Sequence, residues 1–142
     1  MSQIIRDVME IARCAVQYRA ESLAPLGLKS CHYSYLIEIC AEPGISQDKL
    51  AQRICISKSN VARQAAVLEE GGFIIRIPSA EDKRVLGLYP TEKTLALIDR
   101  IAAVNAALED CVTGSLTPEE KQTLSNLLGK MKIRASDWME NH

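Results

Sequence analysis

The sequence predicts a mainly α (α+β) fold: a winged helix-turn-helix domain with a two-stranded β wing, flanked by N- and C-terminal helices that form a dimerisation region. Three observations between Gly44 and Thr91 carry this expectation. Two short helical patterns, each opened by a serine, are separated only by Cys55 and Ile56, which leaves room for nothing but a sharp turn. Gly71-Gly72 then stops the second helix. Two β-favouring runs follow, Phe73 to Ile77 and Val85 to Tyr89, joined by a charged tip that ends in Asp82-Lys83-Arg84.

The elements follow in order. Residues 3–20 are helical by pattern, with Ile4, Val8, Ile11 and Ala15 on one stripe and Ile5, Met9 and Ala12 on the next. Residues 30–41 make a second helix, ended by Pro43-Gly44. Ser46 caps a third, whose Leu50, Ala51 and Ile54 share a face. Ser57 caps the fourth, with Val61, Ala65 and Leu68 on its inner side. After the wing, Thr91 caps a long helix with Leu95, Ile98, Ile101, Ala102, Leu108 and Val112 expected inward, broken at Gly114. Thr117-Pro118-Glu119-Glu120 is a capping box with proline at the first helical position, and it opens a last helix through Leu124, Leu127, Leu128, Met131 and Trp138.

The stretch resembles the winged-helix core of the MarR family of bacterial transcriptional regulators. The matching residues are Gly44, Ser46, Gln47 and Leu50-Ala51; Lys58-Ser59-Asn60-Val61; Leu68-Glu69 with Gly71-Gly72; and Asp82-Lys83-Arg84. Pro25-Leu26-Gly27-Leu28 matches the turn before the family's second helix, while the terminal helices match by length and pattern only. Lys29 departs from the threonine usual at the helix cap, so Ser30 is expected to take that role.

At 142 residues and 47% hydrophobic, the chain is one domain by length and able to bury a core. Its net charge of -1 does not announce a nucleic-acid binder, but the distribution is informative. Residues 1–45 hold 4 Lys/Arg against 5 Asp/Glu, residues 46–90 hold 7 against 5, and residues 91–142 hold 6 against 8. The only positive excess therefore falls on the helix-turn-helix and wing. No run approaches the ~18 apolar residues of a membrane span. Asp7 and Glu10 interrupt the N-terminal apolar stretch, so no leader is expected. Five irregularly spaced cysteines argue against a disulfide framework and for a reducing, cytoplasmic setting. Two histidines and no Cys-x-x-Cys pair make a metal site or cofactor unexpected. No phosphate loop or nucleophile–base set points to an enzyme: Cys31 and His32 are adjacent, and on a helix they diverge by ~100°.

On the outward face of the fourth helix, Asn60, Arg63 and Gln64 can bond base edges, whereas Ser57, Lys58 and Ser59 sit where the helix N-terminus meets phosphate. A solvated polar face is the bland alternative, and the place of these residues on the second helix of a helix-turn-helix argues against it. Gln47 is placed to touch the DNA backbone. In the wing, Arg84 is the candidate for a minor groove, Asp82 would hold its guanidinium by a two-point pair, and Lys83 adds charge between them.

A winged helix of ~70–80 residues closes its own core, so the surplus apolar helices need another surface. The expected division is 1–29 and 91–142 for dimerisation and 30–90 for DNA binding, with double-stranded palindromic DNA and a second copy of the chain as partners. The resemblance implies a repressor relieved by a small aromatic or phenolic effector, and Arg13, Tyr18, Cys31, His32 and Tyr35 are candidates to line its pocket. Some relatives sense oxidants through a thiol on the first helix. Cys14 lies there, nearer the following turn, so an oxidant-responsive regulator is an alternative, as is a winged helix used for protein–protein contact.

Overall fold

The computed structural model describes residues 2–142. In chain order the elements are α1 (Ile4–Leu23), a 3-10 turn at Ala24–Leu26, α2 (His32–Ala41), β1 (Ile45–Ser46), α3 (Gln47–Ile54), α4 (Lys58–Glu70), β2 (Ile74–Pro78), β3 (Leu86–Pro90), α5 (Glu92–Val112) and α6 (Pro118–Glu140). This is the expected winged helix with flanking helices. Ser46 Oγ accepts from Lys49 N–H at 3.0 Å and Ser57 Oγ from Asn60 N–H at 3.3 Å. Thr117 and Glu120 close both halves of their capping box at 3.1 and 3.0 Å. Each such cap is worth ~1 kcal/mol to the helix it opens.

Two features differ from expectation. Ser30 does not cap α2: the N-cap residue is Cys31 and bonds nothing with its side chain. His32 Nδ1 accepts from Lys29 N–H at 3.0 Å, so the imidazole ties the start of the helix back to the chain just ahead of it. The sheet has three strands rather than two, in the order β1-β3-β2, all antiparallel. Gly44, at φ 91°, lets the chain swing into register, and its N–H reaches Leu88 O at 2.7 Å. Ile45 then pairs with Leu88 and Ser46 with Gly87. Two residues are too few for alternation to be seen in the sequence.

The core gathers Leu23, Leu28, Tyr35, Leu36, Ile39, Ile45, Leu50, Val61, Leu68, Phe73, Ile74, Leu88 and Ile101. Val61, Ala65 and Leu68 are buried as their spacing required. On α5 the expected inward set is divided: Ile101 and Leu108 are buried, while Leu95, Ala102 and Val112 face outward in the single chain. The buried position missed on α5 is Thr94, whose hydroxyl donates to Phe73 O at 2.6 Å and ties the helix to the root of the wing. α6 buries no residue at all, and α1 buries only Leu23.

Candidate nucleic-acid interface

The turn between α3 and α4 depends on Cys55, which takes a left-handed conformation at φ 56°. Ile56 N–H returns to Ala51 O at 3.1 Å, so α4 starts two residues later at an angle set by backbone bonds. Ser57, Lys58 and Ser59 are exposed at its N-terminus, where unpaired N–H groups and the helix dipole favour an anion. Lys58 Nζ lies 3.5 Å from Asp48 Oδ2, a largely solvated pair that phosphate can displace. Arg63 is exposed one turn further along, and Asn60 is half-buried beside it.

Gln64 differs from expectation. It is half-buried, and its Oε1 lies 2.9 Å from His32 Nε2, so its oxygen already has a partner and a two-point contact with a base is not open to it in this arrangement. The pattern alone could not reveal this, because the bond spans two helices.

Charge on α3 is largely cancelled by α2. Lys49 Nζ lies 3.1 Å from Glu42 Oε2, and Arg53 bridges Glu38 at 3.3 Å and Glu42 at 3.2 Å. Hydrogen bonds from Lys49 and then Arg53 hold the Glu42 carboxyl below its ordinary range. Within residues 46–90, Arg63 and Lys83 are the two cations that enter no ion pair among the described residues.

At the wing tip Arg84 is 91% exposed in its side chain and held by Asp82. Nε donates to Asp82 Oδ1 at 3.2 Å and Nη2 to Oδ2 at 3.3 Å, the expected two-point pair. The Arg84 backbone N–H adds a third bond to Oδ1 at 3.0 Å. Together the guanidinium and that N–H lower the pKa of Asp82. Lys83 is exposed between them.

Sequence reading missed Arg76. Its guanidinium donates to Glu69 Oε1 from Nε at 3.2 Å and Nη2 at 3.0 Å, and Nη1 reaches Gln47 Oε1 at 3.5 Å. Gln47 is therefore held by the wing strand. An arginine amid β-branched residues gave the only signal, and nothing in the sequence names its partners.

The five candidate residues for an effector pocket differ in exposure. Arg13 and Cys31 are exposed, His32 and Tyr35 are buried, and Tyr18 is half-buried. Arg13 lines an open hollow on α1 with Met9, Ala12, Val16 and Gln17. His32 is committed to Lys29 and Gln64, and Tyr35 meets it edge-on at 6.4 Å. The structure does assemble an unforeseen cluster between α1, α2 and α5: Arg19 lies 4.3 Å from the centre of the Tyr33 ring, and its Nη2 donates to Asn105 Oδ1 at 2.6 Å. Among the described residues, no group of three or more His, Cys, Asp or Glu is placed to hold a metal ion. No helix among them is long and apolar enough to cross a membrane.

Helix-turn-helix, basic α4 face and braced wing define the class: a winged-helix DNA-binding regulator. Comparison with known proteins supports that reading. The MarR family model matches residues 28–86. The chain is 32% identical over 139 residues to an uncharacterised HTH-type transcriptional regulator, YybA, of Bacillus subtilis, covering 97% of this chain and 93% of that one. The solved structure of the transcriptional regulator SlyA superposes with a TM-score of 0.94 at 30% identity, over 98% of both chains. A MarR family regulator from Listeria monocytogenes, crystallised with a 26mer DNA, superposes with a TM-score of 0.93 at 29% identity, over 98% of this chain and 93% of that one. The chain belongs to the MarR family: it is a DNA-binding transcriptional regulator, and its relatives are regulators rather than enzymes.

Proposed function

We propose that the chain acts in the cytoplasm as a homodimeric repressor of sequence-specific type, bound to a palindromic operator and released by a small aromatic effector. The observation that carries the DNA-reading part is the set of exposed polar and basic side chains on α4 and the wing, among which Arg63 and Lys83 enter no ion pair. Arg63 and Asn60 on α4 address base edges; Ser57, Lys58 and Ser59 address phosphate at its N-terminus; Lys83 and the Asp82-braced Arg84 extend from the wing toward a minor groove. Gln47 and Gln64 act from the flanks, each held by a protein partner.

The dimer rests on α1 and α6. A helix of 23 residues that buries nothing in its own chain is not stable alone, yet α6 carries an apolar stripe in which Leu127 is 52% and Trp138 60% exposed. α1 likewise exposes Ile4, Ile5, Met9 and Ile11. Residues 1–29 and 91–142 together supply the surface that a second copy would cover, leaving 30–90 as the reader, although Leu23, Leu28 and Ile101 join its core. Arg19, Tyr33 and Asn105 join Arg13, Tyr18, Cys31, His32 and Tyr35 as candidates to receive the effector. A cation above an aromatic ring at the junction of three helices suits a planar carboxylate or phenolate.

The test is a mobility shift with the duplex upstream of the chain's own gene against a shuffled duplex, with light scattering of the free protein. Retardation of the first at concentrations ~1,000-fold below the second, by a dimer, is expected. Equal retardation of both removes sequence-specific binding, and a monomer at micromolar concentration removes the dimer.

A further inference from the structure

His32 is buried at the start of α2 with both ring nitrogens engaged. Nδ1 accepts from Lys29 N–H at 3.0 Å and so carries no proton. In the neutral ring the proton is then on Nε2, which donates to Gln64 Oε1 at 2.9 Å. One imidazole ties the start of α2 to the chain ahead of it and also fastens a side chain on α4. Gln64, its oxygen occupied, presents only amide N–H donors, which suit acceptors such as guanine O6 and N7, thymine O4 or a phosphate oxygen.

We infer that His32 is a proton-sensitive positioning residue: neutral, it bridges Lys29 N–H and Gln64 and so orients Gln64 on α4 for operator DNA, and protonated, it loses the Lys29 anchor, shifts with Gln64 still bonded to Nε2–H, and weakens binding. This rests on the reading of α4 as the operator-contacting helix. The imidazolium has two donors and no acceptor, so its Nδ1–H would confront the Lys29 N–H and push the ring away from it. The titratable and charged groups around the site are Lys29 ahead of the helix, Cys31 and Tyr35 on α2, and Arg63 on α4. None is a carboxylate that would stabilise the imidazolium. Burial is the largest influence on the ring and pushes its pKa below 6.5; the Gln64 bond opposes this, and Lys29 reinforces it. A lowered folded pKa means that the stabilisation is complete above 6.5 and is lost as pH falls from there through the folded value. A histidine that merely faced DNA would behave oppositely, because its protonation adds a cation beside phosphate and tightens binding.

The experiment titrates operator and shuffled duplexes by fluorescence anisotropy from pH 7.5 to 5.0 with wild type, His32→Gln and His32→Leu, and follows thermal unfolding of each over the same range. Glutamine can accept from Lys29 N–H with its oxygen and donate to Gln64 with its amide, and it does not titrate. At pH 7.5 wild type and His32→Gln should bind the operator within about twofold of each other, with His32→Leu weaker. Between pH 7.5 and 5.0, wild type should weaken by about three- to thirtyfold relative to His32→Gln, the upper bound being proton competition for an unshifted imidazole. Parallel pH profiles for these two proteins, or tightening of the wild type in acid, overturns the inference, and this comparison stands even if His32→Leu does not fold. If wild type fails to distinguish operator from shuffled duplex at pH 7.5, the proposed function has failed instead. The melts then decide His32 separately: its link to Gln64 stands only if wild type loses thermal stability relative to His32→Gln as pH falls.

Discussion

Glu69 on the recognition helix and Arg76 on the first wing strand are joined by three hydrogen bonds: Nε and Nη2 to Oε1 at 3.2 and 3.0 Å, and the Arg76 backbone N–H to Oε2 at 3.0 Å. Because Arg76 also touches Gln47, this one side chain links α3, α4 and β2. A charged brace outside the apolar core thus joins α4 to the wing, beside the packing of Phe73 and Ile74 against Leu68 in the core. Hydrogen bonds from the Arg76 side chain and then its backbone N–H lower the Glu69 pKa.

Glu69→Gln should therefore lower stability at pH 7, by no more than about 1 kcal/mol because the pair is partly solvated. The sign in acid follows from the lowered carboxyl pKa. Wild type keeps its advantage above the ordinary glutamate range and loses it as pH falls through the lowered folded value. Urea unfolding of both proteins at pH 7 and pH 3 checks this, and equal stability at pH 7 would mean that the brace contributes nothing.

Asp82→Ala should weaken operator binding by about tenfold although it deletes an acid from a surface that faces phosphate, the reverse of what simple electrostatics predicts. Without Asp82 the exposed Arg84 side chain must be ordered on binding. Arg84→Ala should lose at least as much, and the double variant little more than Arg84→Ala alone. Titration on an operator with an A·T-rich flank decides the matter, since tighter binding by Asp82→Ala or additive losses would end the positioning role.

Arg63→Ala should cost about 1–3 kcal/mol on the operator and relax sequence preference, whereas Lys58→Ala should weaken all duplexes alike and reduce the salt slope by about one. Binding to operator and shuffled duplexes at several salt concentrations separates them. Identical behaviour of the two variants would erase the division between base and phosphate contacts.

Helices α3 to α6, their caps and the wing are readable in the sequence because each is announced locally, by a serine or threonine before the helix or by the glycine pair after α4. The Asp82–Arg84 pair was readable for the same reason, its partners being two residues apart. Contacts across helices were not: Arg76 to Glu69, His32 to Gln64 and Arg19 to Asn105 join residues whose proximity only the packed fold creates. The misplaced cap of α2 has the same origin, since His32 is held from one side by Gln64 and turns its other nitrogen to Lys29. The pattern places Leu95 and Val112 inward, yet both are exposed, because periodicity marks an apolar face without saying which molecule covers it.

Leu127→Glu should convert the protein to a monomer while leaving its helix-turn-helix folded, because α6 buries nothing within its own chain. Losing one buried leucine contact from each subunit, about 1.5–3 kcal/mol apiece, raises the dimer dissociation constant by well over tenfold. Sedimentation velocity with circular dichroism reports both quantities, and an unchanged dimer would place the subunit interface elsewhere.

The central claim is that two recognition helices, one from each subunit, read a palindrome. Hydroxyl-radical footprinting of the duplex upstream of the chain's own gene tests it most directly. Two symmetric protected patches are expected, centred about one helical turn (~34 Å) apart, with flanking minor-groove protection that disappears in Arg84→Ala. A single asymmetric patch, or uniform protection along the duplex, would contradict the account.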